Sequence, residues 1–233
     1  MTHSDKPQHF NLAQPSNWER VDESTDSRFY QDPRLVVHVD EHFIAALGRF
    51  FAANLPPGGR ILDLMSSYKT HLPAEYNPGF VVGHGMNEIE LQANDQLNQY
   101  VIQDLNHNPV LPFETANFDA VINTVSVQYL RRPLEVFREV GRVLKPGGLF
   151  IVSFSNRMFP TKAVTLWRNL QEPERVALVR QYFEESKAFE TPQVITDIDT
   201  RHHSGSIFAS FYASKDPVYI VWGIKKGRGS KAE

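Results

Sequence analysis

Apolar residues change their spacing along this chain in a regular way, and the changes mark out its elements. From Val36 to Asn54 they recur at helical intervals (Val39, Phe43, Ala46, Leu47, Phe50, Phe51), which predicts an amphipathic helix stopped by Pro56, Pro57, Gly58 and Gly59. The run Arg60 to Leu64 then reads as a short buried strand, and Phe80 to Gly83 as a second, followed by a helix from Glu88 to Leu97 that Asn87 is placed to cap. Gln99 to Gln103 and Phe118 to Asn123 read as the third and fourth strands. A helix over Pro133 to Val143 follows, with Phe137, Val140, Val143 and Leu144 on one face. The turn Lys145 to Gly148 delivers the chain into a fifth strand, Leu149 to Phe154. Two helical segments, Thr161 to Leu170 and Pro173 to Phe189, precede the last strand candidates: Gln193 to Ile198 or Ser206 to Tyr212, and Val218 to Ile224.

Strand and helix alternating at this rhythm imply parallel pairing with right-handed crossovers. The expected architecture is α/β: a doubly wound, Rossmann-like seven-stranded sheet, mostly parallel with an antiparallel edge hairpin and helices on both faces. Residues 1–35, rich in Ser, Asp, Gln, Asn and Pro, are expected to form an arm able to act as a lid, residues 36–225 a single domain, and 226–233 a flexible tail.

Composition narrows the function classes. The 233 residues are 41% hydrophobic and 22% charged, ordinary for a globular domain, and the net charge of −3 gives no basic face for nucleic acid. Without cysteine there is no disulfide, thiolate metal site or cysteine nucleophile. Residues 1–17 lack the apolar core of a signal peptide and no stretch is long enough to span a bilayer, so a cytoplasmic protein without membrane partners is expected. The oligomeric state has no sequence signature.

In open parallel sheets ligands bind beyond the carboxyl ends of the strands, where the strand order reverses. Those ends carry Asp63 and Met65 to Tyr68, then His84 to Asn87, then Asp104 to Asn106, then Asn123, Ser126, Gln128 and Tyr129, and finally Ser155 to Arg157. Several of these lie among local motifs that occur in a telling order: Leu111-Pro-Phe113, Asn117-Phe-Asp-Ala-Val121, Tyr129-Leu130, and Arg142-Val-Leu-Lys-Pro-Gly-Gly148 leading into a strand. From Arg60 to Phe154 the sequence resembles the class I S-adenosylmethionine-dependent methyltransferases of the small-molecule type. The resemblance implies a fold, a cofactor (S-adenosylmethionine, leaving as S-adenosylhomocysteine) and a small-molecule acceptor. It assigns Asp63, Met65, Ser66, Ser67, Gly85, Met86, Asn87, Asp104, Leu105 and Asn123 to the cofactor, with Asp104 receiving the adenine amino group and Met86 packing on the adenine face. Tyr30, Tyr129, Asn156 and Arg157 become the candidates for the acceptor side, Arg157 because its planar fork suits a carboxylate or phosphate.

Two departures accompany the match. The family has a glycine-rich loop after its first strand, where this chain has Asp63-Leu-Met-Ser-Ser-Tyr-Lys69. Where the family has an acid that binds the ribose hydroxyls, this chain has Gly85, with Asn87 and Glu88 the neighbouring candidates to take over. Residues Phe29-Tyr30, Pro33 to Asp40, the Ser-Ser loop, Ser155 to Arg157 and Thr161 to Ala163 resemble, more remotely, a methyltransferase-like subgroup with no implied substrate. The departures motivate a rival function: a catalytically inactive descendant of the fold that binds another nucleotide-like ligand or a protein partner. Other readings are weaker. A hydrolase elbow at Ser66 or Ser67 lacks flanking glycines, a metal shared by His38 and His42 lacks a third ligand, and Gly83-His84-Gly85 is a fragment of the dinucleotide pattern. His202-His203 reads as surface. No residue declares itself a general base, which methyl transfer from an activated sulfonium does not require.

Overall fold

The computed structural model describes residues 8–197 and 215–227. The strand candidate Ser206 to Tyr212, His202-His203 and most of the tail lie outside the described residues. Seven strands form one sheet in the order β3-β2-β1-β4-β5-β7-β6. These are β1 (Arg60–Ser66), β2 (Phe80–Gly85), β3 (Gln99–Ile102), β4 (Phe118–Thr124), β5 (Leu144–Phe154), β6 (Gln193–Asp197) and β7 (Val218–Ile224). The first five run parallel, and β7 enters antiparallel between β5 and β6. The order reverses between β1 and β4, which opens a crevice at their carboxyl ends.

The period of two along each strand divides the core between the two faces. Leu62, Val82, Val121 and Val152 turn to one side, packing with Phe137 and Val140 of α4 (Pro133–Val143) and Leu178 and Phe183 of α6 (Glu172–Ser186). Their neighbours Ile61, Val81, Ile122 and Ile151 turn to the other, against Phe43, Leu47 and Phe51 of α2 (Glu41–Asn54). α2 begins at Glu41, five residues after the start that apolar spacing suggests, because the Asp40 carboxylate caps it by accepting from Phe43 N at 2.8 Å. α3 (Glu88–Gln92) is likewise shorter than its pattern. No helix among the described residues is long and apolar enough to cross a membrane.

The segment before α2 is seated on the domain. Phe10 and Gln181 exchange hydrogen bonds, N to Oε1 and Nε2 to O, both at 2.8 Å, and Thr165 N donates to Glu19 O at 2.8 Å. Around α1 (Asp26–Phe29), Arg20 Nη1 meets Asp26 Oδ1 at 2.7 Å in a buried pair. The fully buried Lys162 donates to Ser24 O at 2.6 Å and lies 3.4 Å from both Asp22 and Asp26. A buried ammonium persists only with such partners, so these contacts define where the arm runs.

Candidate functional site

A cavity of about 250 Å³ lies over the carboxyl ends of β1, β2 and β4, and the arm forms its roof through Asp26, Tyr30, Arg34, Val36 and His38. Of the residues singled out in sequence, Asp63, Met65, Ser66, Ser67, Gly85, Met86, Asn87, Asp104, Leu105, Tyr30, Tyr129 and Arg157 line it. Asn123 and Asn156 do not. Asn123 is buried below the floor, where its Nδ2 donates to Leu64 O at 3.0 Å and Ser126 Oγ at 2.8 Å and so ties the ends of β1 and β4 together. Asn156 is exposed.

The floor holds a buried carboxyl group. Asp63 is buried, and its Oδ2 accepts from Ser66 Oγ at 2.6 Å. Burial lifts its carboxyl to about 7, although the Ser66 and Thr70 hydroxyls pull the other way. No cation pairs with it among the described residues. Asp104 caps its own turn, Oδ1 accepting from Asn106 N at 2.8 Å and His107 N at 3.3 Å. Three histidines on the wall are held neutral by desolvation: His38, His71 (down to about 4) and His84 (down to about 4). Tyr129 stacks on Phe159 with centroids 6.0 Å apart, and its hydroxyl accepts from Phe159 N at 2.8 Å. Burial pushes that hydroxyl up to about 12 and raises Tyr30 as well.

Arg157 is committed elsewhere. Its side chain is 60% exposed and its Nε donates to Asp216 Oδ1 at 2.7 Å. Asp216 in turn exchanges backbone-to-carboxylate bonds with Asp40, at 3.0 and 2.8 Å, closing the start of α2 over the cavity edge.

This geometry can be set beside known proteins. A model described as a methyltransferase domain matches residues 70–152. Over 83 residues the chain is 34% identical to the biotin biosynthesis bifunctional protein BioHC of Teredinibacter turnerae, a match spanning 36% of this chain and 14% of that protein's length. A chain of the Haloferax volcanii complex with the Trm112 methyltransferase activator superposes with a TM-score of 0.57 at 17% identity, covering 81% of this chain and 92% of that one. An S-adenosylmethionine-dependent methyltransferase from Mesorhizobium loti gives 0.51 at 18% identity, covering 76% and 96%. The chain has the fold of the class I methyltransferases. The match to the domain model starts after the loop that follows β1, which is where the chain departs most from the family pattern.

In this methyltransferase fold the lost glycines have a structural answer. Met65 sits at φ 59°, the left-handed region that glycine enters freely, in a bulge where the pairing of β1 with β2 slips between Leu64 and Ser66. The backbone turn of a glycine loop is therefore made by a methionine under strain. That bulge also fixes Gly85, because a Cβ there would lie 2.5 Å from Ser66 O. No acid fits at the end of β2.

Asn87 and Glu88, the neighbouring candidates, both make hydrogen bonds of their own. Asn87 Oδ1 caps α3 by accepting from Glu90 N at 3.1 Å, while Nδ2 donates to Tyr30 O at 2.8 Å and Gln31 O at 3.1 Å. Glu88 is exposed and accepts from the Tyr100 hydroxyl. The buried carboxylate on this wall is Glu90, whose oxygens accept from Arg34 N and Ser67 Oγ, each at 2.6 Å. Sequence reasoning passed over it because an Asn followed by Glu three residues later reads as a helix-capping pair and nothing more. Arg34 likewise carries no local signal, and Asn106 stands among the strand-end residues without an assigned role. Asn106 Nδ2 donates to Asp26 Oδ2 at 2.8 Å and Tyr129 O at 2.9 Å, joining arm, β3 turn and β4 turn.

Proposed function

We propose that this protein is an S-adenosylmethionine-dependent methyltransferase acting on a small-molecule acceptor in the cytosol, with the segment before α2 as the lid over its site. The observation that carries this reading is the cavity itself, at the point where strand order reverses, with a buried carboxylate at the end of β1 that lacks a cation. The residues present fit such a cofactor. Asp63 and the Ser66 hydroxyl would hold an ammonium, Asp104, which uses Oδ1 in its own turn, would offer Oδ2 to an adenine amino group, and Met86 and Leu105 would give apolar contact to its ring. When bound, the cofactor supplies a methyl group on an already activated sulfonium. The chain's work is then to align the acceptor and exclude water, which the roof from Tyr30 to His38 and the buried tyrosines are suited to do.

A second reading, a non-catalytic binding protein, is favoured by the altered loop after β1, with Met65 in the left-handed region, and by Gly85, where a Cβ would lie 2.5 Å from Ser66 O. Calorimetric titration with S-adenosylmethionine and S-adenosylhomocysteine separates the two. Saturable one-to-one binding, followed by release of S-adenosylhomocysteine with an acceptor panel, supports the enzyme. Absence of heat and of any melting shift at millimolar ligand refutes it and leaves the second reading.

A further inference from the structure

Three permanently cationic side chains reach the cavity wall, and two of them are neutralised. Lys69 pairs with Asp95 at 2.8 Å and Arg157 with Asp216 at 2.7 Å. The third, Arg34, has no carboxylate on its guanidinium among the described residues. Its Nη2 donates to Phe29 O at 3.1 Å, and its Nη1 is buried with no acceptor. Aromatic faces hold the group instead: its central carbon lies 4.7 Å from the ring centroid of Phe29, 5.2 Å from Phe159 and 5.8 Å from Tyr30. Those faces attract a cation but offer no lone pair in the plane of the guanidinium fork. The side chain is also fixed at its root, since Arg34 N donates to Glu90, whose other oxygen is occupied by Ser67.

A guanidinium preorganised among rings, lacking a counter-ion and facing a cavity, is half of a charge-assisted pair. Every buried carboxylate around the cavity already has donors: Asp63 from Ser66, Glu90 from Arg34 and Ser67, Asp26 from Arg20 and Asn106. None turns to this fork. The cavity is therefore polarised, with an unneutralised acid at the end of β1 and an unneutralised base under the arm. We propose that Arg34 is the cavity's receptor for a carboxylate or phosphate oxygen, so that the acceptor methylated here is an anion. That this anion is methylated rests on the methyltransferase reading; the receptor does not. The same chemistry has a second source, the α-carboxylate of the cofactor. The company of Phe159 and, through it, Tyr129, from the loops after β5 and β4, favours the acceptor.

The test is calorimetric titration of the wild type, Arg34→Gln and Arg34→Lys, with melting curves to establish that each variant is folded. The probes are S-adenosylhomocysteine, 5′-methylthioadenosine (the same thionucleoside without the amino-acid chain, ammonium and carboxylate both), and benzoate, benzamide and phenyl phosphate added to nucleoside-saturated and to free protein. The expected result is that benzoate or phenyl phosphate binds and neutral benzamide does not, and that Arg34→Gln weakens the anion at least tenfold while both nucleosides bind as before. Arg34→Lys, which keeps the charge without the fork, should recover only part of that affinity. A tenfold loss confined to S-adenosylhomocysteine, with 5′-methylthioadenosine unchanged, upholds the receptor and assigns it to the cofactor. Arg34-dependent anion binding by a protein that binds neither nucleoside upholds the receptor and removes the methyltransferase reading. Equal binding of benzoate and benzamide, or equal weakening of both nucleosides in Arg34→Gln, overturns the proposal. So does the absence of any Arg34-dependent binding of carboxylate or phosphate. The comparison of benzoate with benzamide needs only the wild type and stands even if a variant does not fold.

Discussion

Replacing Asp63 by Asn should make the protein more stable at alkaline pH, contrary to what removing a charged residue from a site usually does. Burial raises this carboxyl from its ordinary 3.8 to about 7. In the folded state it therefore holds a proton more tightly than in the unfolded state, so stability is highest below pH 4 and is lost as pH rises towards 7. At ~1.4 kcal/mol per pH unit the full loss is ~4 kcal/mol, of which roughly 3 kcal/mol falls between pH 5 and 8. Asparagine is nearly isosteric with the protonated acid and keeps an oxygen for the Ser66 hydroxyl, so it lacks this dependence. Urea unfolding of both proteins at half-unit steps from pH 5 to 8 gives the difference directly. The variant should gain about 3 kcal/mol on the wild type across that window, with the difference levelling off above pH 7. Parallel stability profiles, or a wild type that gains on the variant as pH rises, would refute the assignment of a buried, unpaired acid. The same linkage predicts that a cationic ligand beside Asp63 binds more weakly below pH 7, by up to about tenfold per pH unit, and that Asn removes this slope.

Gly85→Asp, which restores the family's acid in sequence, should instead cost about 1–3 kcal/mol in thermal or urea melts, because its Cβ collides with Ser66 O; an unchanged melt would mean the bulge relaxes freely. Met65→Gly should be more stable than Met65→Ala by about 1 kcal/mol, since both lose the same packing and only alanine keeps the left-handed strain; a more stable alanine variant would refute the strain. Lys162→Met should destabilise by about 1–3 kcal/mol and expose the arm to limited proteolysis well before the rest of the domain, because the buried Ser24 carbonyl contact loses its charged donor while Asp26 keeps Arg20; cleavage at the wild-type rate would show that the arm is held by other contacts.

What could be read in the sequence were features set by local period and local chemistry. α4 starts at Pro133 and ends at Val143 as its spacing and the Lys-Pro-Gly-Gly stop dictate, and β7 keeps the bounds of its apolar run. The insertion of β7 between β5 and β6 leaves no trace in spacing, because it depends on which edges meet. The strand ends pointed to the residues that gather round the cavity, since a parallel sheet brings all its carboxyl ends to one edge. The partners of those residues could not be read. Arg157 is drawn away by Asp216, Asn87 is engaged by carbonyls of Tyr30 and Gln31, and Arg34 joins the site only because the arm folds back over it. Each of these contacts joins residues more than fifty positions apart. Single-residue chemistry carries no record of such distances.

The roof has a consequence for how the protein is made. Residues 8–40 leave the ribosome well before Lys162, Gln181 and Asp216, groups that help to seat them and are synthesised more than a hundred residues later. Until those emerge the arm has only its contacts with Asn87, Glu90 and Asn106, and the roof over the crevice between β1 and β4 is incomplete. During synthesis this early segment is thus fully seated only late, and a ligand that meets the nascent domain meets a partly open site.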